Sequence, residues 1–418
     1  MAIEVLVLGG GFAGMSAVQE LERKASQEVN LTLVSRDNYL LFTPMLPEVA
    51  SGSIEPRHIV QPLRAALRRT RFVLGEALGL DVHARTVTVQ HPVLKSRSKF
   101  RFDHVIVALG SQTSTFGLPG INEYTLPLKT LADATKLRSR LIGAFEAAAA
   151  ANDRLTRDRF LRFVIVGGGF TGVEMAGELT GLVRTLRNFY PALHGFSPQI
   201  VVVEDEKELL GQLPDRFGKR AAQSLRKRGV RLELGERVAS ADAEGLSLVS
   251  GKRYESATIV WTTGVRPAAV VETLGLQTSK HGALIVNPDL SVPGVDGVWS
   301  LGDCASVPRR SGGSYAALAQ DAVREGPHVA RNIIARLRKK PTRPFRYTRL
   351  GMMASLGDRD AVAELPGKRM IAGVPAWMLW RAYYLSRLPG WRRKIRVAMD
   401  WTMSGAFQRG TACVSLIK

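Results

Sequence analysis

The feature that most constrains the fold is a glycine-rich turn near the start of the chain, between a predicted strand and a predicted helix. The mainly apolar run Ile3 to Leu8 is followed by Gly9 to Gly14, which has the pattern GxGxxG, and then by the helix-forming residues Met15 to Leu21. Glycines let the backbone approach a diphosphate closely, and a helix N-terminus supplies partial positive charge. The turn therefore predicts a dinucleotide-binding module.

The second strand of this module should end where the ribose of the dinucleotide lies. Leu31 to Val34 form an apolar run that ends at Ser35 and Arg36, about 20 residues beyond the last glycine, as the pattern requires. Asp or Glu usually stands here and accepts from the ribose hydroxyls, so Ser35 is a weaker acceptor. A single pattern of this kind could also be a turn that binds nothing.

The same arrangement occurs a second time. Phe163 to Val166 lead into the GxGxxG sequence Gly167 to Gly172 and a helix that continues through Leu179. Its second strand, Ile200 to Val203, ends in Glu204, and an insertion at residues 188–197 explains the longer spacing. Because two fingerprints bounded by strands are hard to obtain by chance, the sequence predicts two bound nucleotides.

Composition agrees with an α/β protein of more than one domain. The 418 residues are too many for one core. A hydrophobic fraction of 45% with 40 glycines excludes a disordered chain. The two cysteines, Cys304 and Cys413, cannot form a disulfide framework or a four-cysteine metal site. We therefore expect no metal centre and a reducing compartment.

The net charge of +21 predicts an anionic partner, either nucleic acid or a membrane surface. We expect no signal peptide, because the first residues lack a basic region, and no apolar run is long enough to span a bilayer. Four of the six tryptophans and a single acidic residue lie between Trp377 and Trp401. This composition favours two helices, separated at Pro389-Gly390, in the interface of an anionic membrane. The alternative is packing on the protein's own core. Nucleic acid is less favoured because no nucleic-acid motif occurs.

Several local structures are also predicted. We expect Asn38 to Pro47 to be an apolar loop kept out of helix by its prolines, either covering the core or lining a cofactor pocket. Arg57 to Arg71 are expected to form a basic helix, which is a second candidate for membrane contact. Thr130 and Asp133 predict a capping box at the start of a helix that runs through Ala151.

A further apolar strand, Val298 to Leu301, ends at Gly302-Asp303. With the two fingerprints, these residues make the chain resemble the two-dinucleotide-binding flavoprotein oxidoreductases. The resemblance implies that the first fingerprint binds FAD, the second binds NAD(P)H, and Gly302-Asp303 reach the ribitol of FAD. Leu40 to Pro47 contain no cysteine, unlike the disulfide reductases and the NADH peroxidase of this group.

Within that group the chain resembles the type II NADH:quinone oxidoreductases. Four stretches carry the resemblance: residues 38–56, 169–174, 261–266 and 376–401. The resemblance implies that Glu174 acts near the flavin and nicotinamide, with an N-terminal helix carboxylate as the structural alternative. It also implies that Gln320 lies on the quinone side. Arg324 and Glu325 stand where the family has two glutamines, which changes the acceptor pocket.

We therefore predict two Rossmann-like α/β domains and a C-terminal amphipathic helical segment for membrane association. The expected divisions are residues 1–115 and 284–345 for FAD, 116–283 for NAD(H) and 346–418 for the membrane region. Glu174 and Gln320 are the catalytic candidates. The cofactor-binding candidates are Gly9, Gly11, Phe12, Ala13, Gly14, Ser35, Arg36, Ala77, Gly110, Gly302, Asp303 and Ala319 for FAD, and Gly167, Gly169, Thr171, Gly172, Glu204 and Gly264 for NADH.

The predicted function is hydride transfer from NADH to FAD, followed by electron transfer to a membrane quinone without proton pumping. The enzyme is expected on the cytoplasmic face of the cell membrane as a peripheral protein, and a homodimer is compatible with the sequence. Ending the chain at about Gly373 is expected to yield a soluble enzyme. Two other functions stay open: a soluble flavin reductase with a ferredoxin-like or dye-like acceptor, and a flavin-bound protein that senses NADH.

Overall fold

Each glycine fingerprint follows the central strand of a five-stranded parallel sheet in a computed structural model. The structure describes residues 2–349, 351–367, 369–407, 409–410 and 412. It forms two units, each assembled from three stretches of chain. The first unit contains Met1–Leu41, Val60–Gln112 and Val265–Thr348, and the second contains Phe42–Ile59, Thr113–Gly264 and Arg349–Lys418. The domain divisions expected from the sequence stay predictions.

The first unit is built on the sheet that carries the first fingerprint. In spatial order its strands are Val298–Ser300, His104–Val107, Ile3–Leu8, Val29–Ser35 and Arg71–Leu74. An antiparallel sheet consists of Glu76–Asp81, Thr86–Gln90 and Arg97–Arg101, and the short pairs are Tyr39–Leu41 with Val60–Pro62 and Leu284–Ile285 with Ala305–Ser306. Its α-helices are Phe12–Ala25, Leu63–Ala66 and Ala319–Leu337. Valine, leucine and isoleucine side chains of the central strands form its core.

Helix Ala319–Leu337 packs closely on helix Phe12–Ala25. A Cβ atom on Gly326 would lie 2.5 Å from the backbone oxygen of Ala13, so a larger residue would push the two helices apart. The close approach holds Ala319–Leu337 beside the first fingerprint.

The second unit repeats this plan around the second fingerprint. Its parallel strands are Leu126–Pro127, Thr258–Trp261, Arg162–Val166, Gln199–Glu204 and Val230–Leu234, and its antiparallel strands are Val238–Ala241, Gly245–Leu248 and Arg253–Glu255. A third sheet contains Met353–Gly357, Asp360–Leu365 and Arg369–Ala372. The α-helices are Leu46–Ala50, Ile121–Tyr124, Leu131–Ala150, Arg154–Phe160, Phe170–Arg187, Asp215–Lys227, Val374–Arg387 and Trp391–Ala406.

The predicted capping box is confirmed. The Thr130 hydroxyl accepts from the backbone N–H of Asp133 at 3.1 Å, and the Asp133 carboxylate accepts from the N–H of Thr130 at 2.7 Å. The helix that follows, Leu131–Ala150, ends one residue before the predicted Ala151. Reciprocal capping satisfies two backbone donors that would otherwise lack partners.

Two local predictions are wrong. The segment expected to be an irregular loop contains a 3₁₀ turn, Thr43–Met45, and the helix Leu46–Ala50. Pro44 and Pro47 lie in the first turns of these elements, where a backbone N–H has no helical partner, so proline is tolerated there. The stretch expected as one basic helix is divided into Pro56–Ile59, Val60–Pro62 and Leu63–Ala66.

The C-terminal prediction of two helices is confirmed. Val374–Arg387, the first C-terminal helix, ends just before Pro389, and Trp391–Ala406, the second C-terminal helix, begins after Gly390. Trp401 and Val397 of the second helix are buried, whereas its other face is exposed. Across the described parts of the chain, no helix has both the length and the apolar character needed to cross a membrane.

Candidate functional site

The first fingerprint, Gly9 to Gly14, forms a concave turn that we call the first cradle. Its glycines have different structural roles. Gly9 adopts φ +111°, and a Cβ atom there would collide with the backbone of Ala108. A Cβ atom on Gly14 would collide with the backbone of Gly9, so glycine at this position lets the helix start close to the strand. Gly11 differs, because a Cβ atom there would have nothing within 4 Å. Gly11 therefore borders open space at the N-terminus of helix Phe12–Ala25.

The second fingerprint repeats this geometry. Gly167 adopts φ +110°, and a Cβ atom there would lie 2.9 Å from the Thr262 hydroxyl. A Cβ atom on Gly172 would collide with the backbone of Gly167, and one on Gly169 would again have nothing within 4 Å. In both cradles the glycines at the first and last positions of the GxGxxG pattern lie too close to neighbouring atoms for a side chain. The glycine at the third position borders open space.

Ser35 and Glu204 occupy equivalent places in the two cradles. A Cβ atom on Gly10 would approach the Ser35 hydroxyl to 2.9 Å, and one on Gly168 would approach the Glu204 carboxylate to the same distance. Glu204 accepts from the backbone N–H of Gly168 and from that of Glu206 at 3.0 Å. Burial and a hydrogen bond with Asp205 raise the pKa of Glu204 to about 7.

Gly302 and Asp303 lie beside the first cradle. Gly302 adopts φ +72°, and a Cβ atom there would lie 3.1 Å from that of Ala13. The hydroxyl of Ser111 donates to the carboxylate of Asp303 at 2.6 Å, which orients the carboxylate. The strands that precede Gly302 and Ser111 and the strand of the first fingerprint are neighbours in the parallel sheet. Their carboxyl ends, and the residues that follow them, therefore lie at one edge of the sheet.

Arg324 and Glu325 have distinct positions. Glu325 is buried, and its carboxylate accepts the backbone N–H of Gly302 at 2.7 Å. Burial raises the pKa of Glu325 to about 7. The guanidinium of Arg324 lies 4.2 Å from the centre of the Tyr347 ring and donates to the backbone oxygen of Gln320 at 2.7 Å. Glu325 thus supports the Gly302 turn.

The other predicted residues lie where the strands and helices begin or end. Phe12 and Ala13 are in the first turn of one fingerprint helix and Thr171 is in that of the other, and Ala319 and Gln320 open helix Ala319–Leu337. Arg36 is exposed and paired with Asp37 at 3.4 Å, and Ala77 is buried in strand Glu76–Asp81. Gly110 and Gly264 both adopt positive φ after a strand of their own sheet.

Glu174 is buried on helix Phe170–Arg187. Its carboxylate accepts from the backbone N–H of Ser355 at 3.1 Å and from the indole N–H of Trp380 at 3.2 Å. Burial is the largest cause that raises its pKa to about 8. If Glu174 only interacted with the helix dipole at the surface, its carboxylate would be exposed and would lack these two hydrogen bonds.

Sequence reasoning missed two further buried carboxylates, Glu48 and Glu178. With Glu174 they form what we call the carboxylate cluster, in which electrostatic repulsion between members raises the pKa of Glu48 and of Glu174 further. The sequence held two signals. Glu48 lies within the apolar run 46–50, and Glu178 follows Glu174 by four residues, hence on the same face of one helix.

The first cradle fits FAD. The open space at Gly11 can admit a diphosphate, the helix N-terminus favours its charge, and Asp303 offers a carboxylate for a polyol hydroxyl. No described cysteine accompanies them except the buried Cys304. Burial raises the pKa of its thiol, which makes it a poor nucleophile.

Comparison with known proteins supports this assignment. Residues 3–326 match the family described as pyridine nucleotide-disulphide oxidoreductase, and residues 350–410 match the NDH2 C-terminal domain. The chain is 32% identical over 415 residues to the type II NADH:quinone oxidoreductase Ndh of Mycobacterium tuberculosis, an alignment that covers 96% of this chain and 87% of that protein. It is 28% identical to the type II NADH:quinone oxidoreductase of Staphylococcus saprophyticus, with 90% and 92% covered.

Solved structures show the same fold. NDH2 from Plasmodium falciparum in complex with NADH has a TM-score of 0.92 at 18% identity and covers 99% of this chain and 100% of its own. The sulfide:quinone oxidoreductase from Aquifex aeolicus has a TM-score of 0.72 at 20% identity, with 98% and 96% covered. The chain therefore belongs to the pyridine nucleotide-disulphide oxidoreductase family and, within it, to the type II NADH:quinone oxidoreductases.

Proposed function

We propose that this chain is an FAD-dependent enzyme that oxidises NADH and reduces a membrane quinone. The observation that carries the proposal is the pair of equivalent cradles, each with open space at its third glycine. A protein with one cradle could bind a single dinucleotide, whereas hydride transfer between two of them needs both. The quinone is inferred as the electron acceptor because the relatives are named NADH:quinone oxidoreductases.

Each cradle has residues suited to its nucleotide. FAD, when bound, accepts a hydride and passes electrons on. The N-terminus of helix Phe12–Ala25 would hold its diphosphate, and Asp303, oriented by Ser111, would hold the ribitol. In the second cradle helix Phe170–Arg187 would hold the diphosphate of NADH. Positioning of the two nucleotides is then the protein's main contribution to the rate.

Glu204 favours NADH over NADPH. Its carboxyl group lies at Gly168, where it can accept from ribose hydroxyls, and above about pH 7, where the group is ionised, a 2′-phosphate there would meet a like charge. We expect kcat/KM to be at least about tenfold higher for NADH, equivalent to 1.4 kcal/mol. Equal values would remove Glu204 from the ribose site.

Glu174 is the proposed proton donor in quinone reduction. A buried carboxyl whose pKa is about 8 keeps its proton at neutral pH and can release it when a stronger base forms nearby. Gln320 is proposed to lie on the acceptor side, as the family resemblance implies. Because Arg324 donates to the backbone oxygen of Gln320, the change from the family's glutamine would stiffen this turn.

The second C-terminal helix supports attachment to a membrane surface. Trp391, Ile395, Met399 and Met403, which we call the exposed stripe, are 66%, 50%, 59% and 55% exposed. Packing on the protein's own core would have covered these side chains. Arg392 and Arg396 are exposed on the same helix and suit anionic headgroups.

We propose peripheral attachment at the cytoplasmic face of the cell membrane. NADH is a cytoplasmic reductant, and the exposed stripe offers a route to a quinone that stays in lipid. The homodimer stays a prediction, which sedimentation in detergent checks. Rates with ubiquinone and menaquinone analogues would identify the preferred quinone.

The acceptor separates this proposal from its two rivals. Purified protein in detergent is supplied with NADH and, in turn, a quinone analogue, a ferredoxin and ferricyanide. Rapid turnover with the quinone supports the proposal, whereas turnover with ferredoxin and none with quinone would indicate a soluble reductase. FAD and NADH binding without turnover with any acceptor would indicate a sensor.

A further inference from the structure

Two tryptophans join the C-terminal helices to two buried carboxylates. The indole N–H of Trp380 donates to Glu174 at 3.2 Å, and that of Trp401 donates to Glu48 at 2.8 Å. The centres of the two indole rings are 6.2 Å apart. Glu48 and Glu174 are therefore each bonded to one of two neighbouring indoles, although 126 positions separate them in the sequence.

Glu178, the third member of the carboxylate cluster, is held differently. The hydroxyls of Ser51 and Ser53 donate to its Oε2 atom at 2.6 and 2.7 Å, and the guanidinium of Arg409 lies 3.2 Å from the same atom. Three donors on one oxygen are the environment of a charged carboxylate. Glu178 is thus suited to carry the negative charge of the cluster.

Glu48 has the opposite environment. Its Oε2 atom is buried and has no hydrogen-bond partner in the described part of the chain. An ionised carboxylate with a bare oxygen in such a place would be costly, whereas a protonated carboxyl is neutral. Burial, followed by repulsion from Glu178, raises the pKa of Glu48 well above its ordinary value.

Charged and titratable groups approach the cluster from several elements, and Tyr384 of the first C-terminal helix is one of them. Glu174 and Glu178 come from helix Phe170–Arg187, and Arg381 comes from the first C-terminal helix. The guanidinium of Arg381 lies 3.9 Å from the centre of the Trp377 ring and 4.6 Å from that of Trp401, which fixes it as a nearby positive charge. The guanidinium of Arg138, from helix Leu131–Ala150, lies against Gly52 on the segment that carries Glu48.

Quinone reduction consumes a proton. NADH, one proton and quinone give NAD⁺ and quinol: the hydride supplies two electrons and one hydrogen, and the second hydrogen comes from the medium. Ferricyanide accepts electrons alone, so NADH oxidation with ferricyanide consumes no proton. A residue that supplies the proton should therefore affect the two acceptors differently.

We propose that Glu48 is a second proton-storing residue of this enzyme, which replaces through the carboxylate cluster the proton that Glu174 gives up when quinone is reduced. This inference rests on the proposed function, since it requires a quinone as the acceptor. Glu48 would act through Glu174 and is a positioning and supply residue, whereas Glu178 balances the charge.

The variant Glu48→Gln tests the proposal. Glutamine keeps the oxygen that accepts from Trp401 and nearly the same volume, but cannot exchange a proton. The rate with quinone should fall about tenfold at pH 8 and less at pH 6, where protons are more abundant, while the rate with ferricyanide stays unchanged. Glu48→Asp should recover part of the quinone rate, because aspartate can still carry a proton.

The exposed carboxylate of Glu123 provides a matched control, and Glu123→Gln should leave both rates and the pH profile unchanged. A wild-type pH profile in Glu48→Gln, or an equal loss with both acceptors, would overturn the inference. If Glu48→Gln fails to fold, Trp401→Phe removes the hydrogen bond to Glu48 while keeping an aromatic ring beside Trp380 and Arg381, and it should move the pH dependence of the quinone rate but not of the ferricyanide rate. A wild-type enzyme that does not reduce quinone would instead contradict the proposed function.

Discussion

Single residues decide what each cradle can hold, and Gly11 and Gly169 are the sharpest examples. Both have φ near −75°, a conformation open to any residue, and both border open space. A larger side chain would therefore change the volume of the cradle without straining the protein. Gly9 and Gly14 are different, since a side chain there would collide with backbone.

We predict that Gly11→Val yields folded protein without FAD, because the valine side chain would occupy the space proposed for the diphosphate. Gly169→Val is the matched variant: it should keep FAD and raise the KM for NADH at least about tenfold. The flavin absorbance of purified protein and steady-state kinetics with ferricyanide measure these effects. Full FAD content in Gly11→Val would place the flavin elsewhere.

The second prediction concerns the pH dependence of stability. The carboxyl of Glu174 titrates near 4.5 when unfolded and at about 8 when folded. Between these values the folded protein binds more protons than the unfolded protein, so its free energy of unfolding falls as pH rises. Glu174→Gln cannot lose a proton and avoids this fall.

The Tm of Glu174→Gln, relative to that of wild type, should therefore increase by about 3 °C or more between pH 6 and pH 9. Thermal unfolding of the FAD-bound proteins measures the difference. A constant difference across that range would show that the carboxyl of Glu174 is already ionised at pH 6.

At the scale of elements, the second C-terminal helix has two functions on its two faces. Val397 and Trp401 face the core of the second unit, and Asp400 accepts from His58 at 2.5 Å and from the backbone N–H of Glu55 at 3.1 Å. The exposed stripe lies on the remaining face. The helix is therefore both a structural element and a candidate membrane surface.

We predict that replacing Trp391, Ile395 and Met399 with serine reduces sedimentation with anionic vesicles and leaves the rate with ferricyanide unchanged. High salt should release the wild type only in part, because salt screens the cationic contribution and not the apolar one. Leu155→Ser with Val249→Ser is the control, since these exposed residues of the same unit lie outside the stripe. Unchanged binding of the triple variant would place the attachment site elsewhere.

Elements with strong local signals were predictable from the sequence. The fingerprints, the capping box at Thr130 and the break at Pro389 depend on residues close together in the chain. The segments 43–50 and 57–71 were predicted wrongly, because proline position within a turn and pairing with a neighbouring strand decide their structure. The carboxylate cluster could not be assembled from the sequence, since Glu48 and Trp401 are brought together only by folding.

At the scale of the whole molecule, the C-terminal stretch belongs to the second unit. Its strand Met353–Gly357 packs against helix Phe170–Arg187, where a Cβ atom on Gly177 would lie 2.4 Å from the backbone of Leu356. A chain ending at Gly373, expected to be a soluble enzyme, keeps this strand but lacks Trp380 and Trp401, which donate to Glu174 and Glu48. We therefore expect it to be less stable than the full chain.

We predict that this truncated chain melts at least about 5 °C below wild type, whereas the serine variant of the exposed stripe melts close to wild type. Thermal unfolding monitored by flavin fluorescence compares the two. A truncated protein as stable as the wild type would mean that the C-terminal helices contribute little to the core.

The most direct test of the central claim follows both substrates in one sample. Purified protein in detergent receives NADH and a quinone analogue without oxygen, and NADH loss and quinol formation are recorded together. The proposed function predicts one quinol for each NADH oxidised, with no quinol formed by Gly11→Val. Oxidation of NADH without quinol, or quinol formation by protein that lacks FAD, would contradict it.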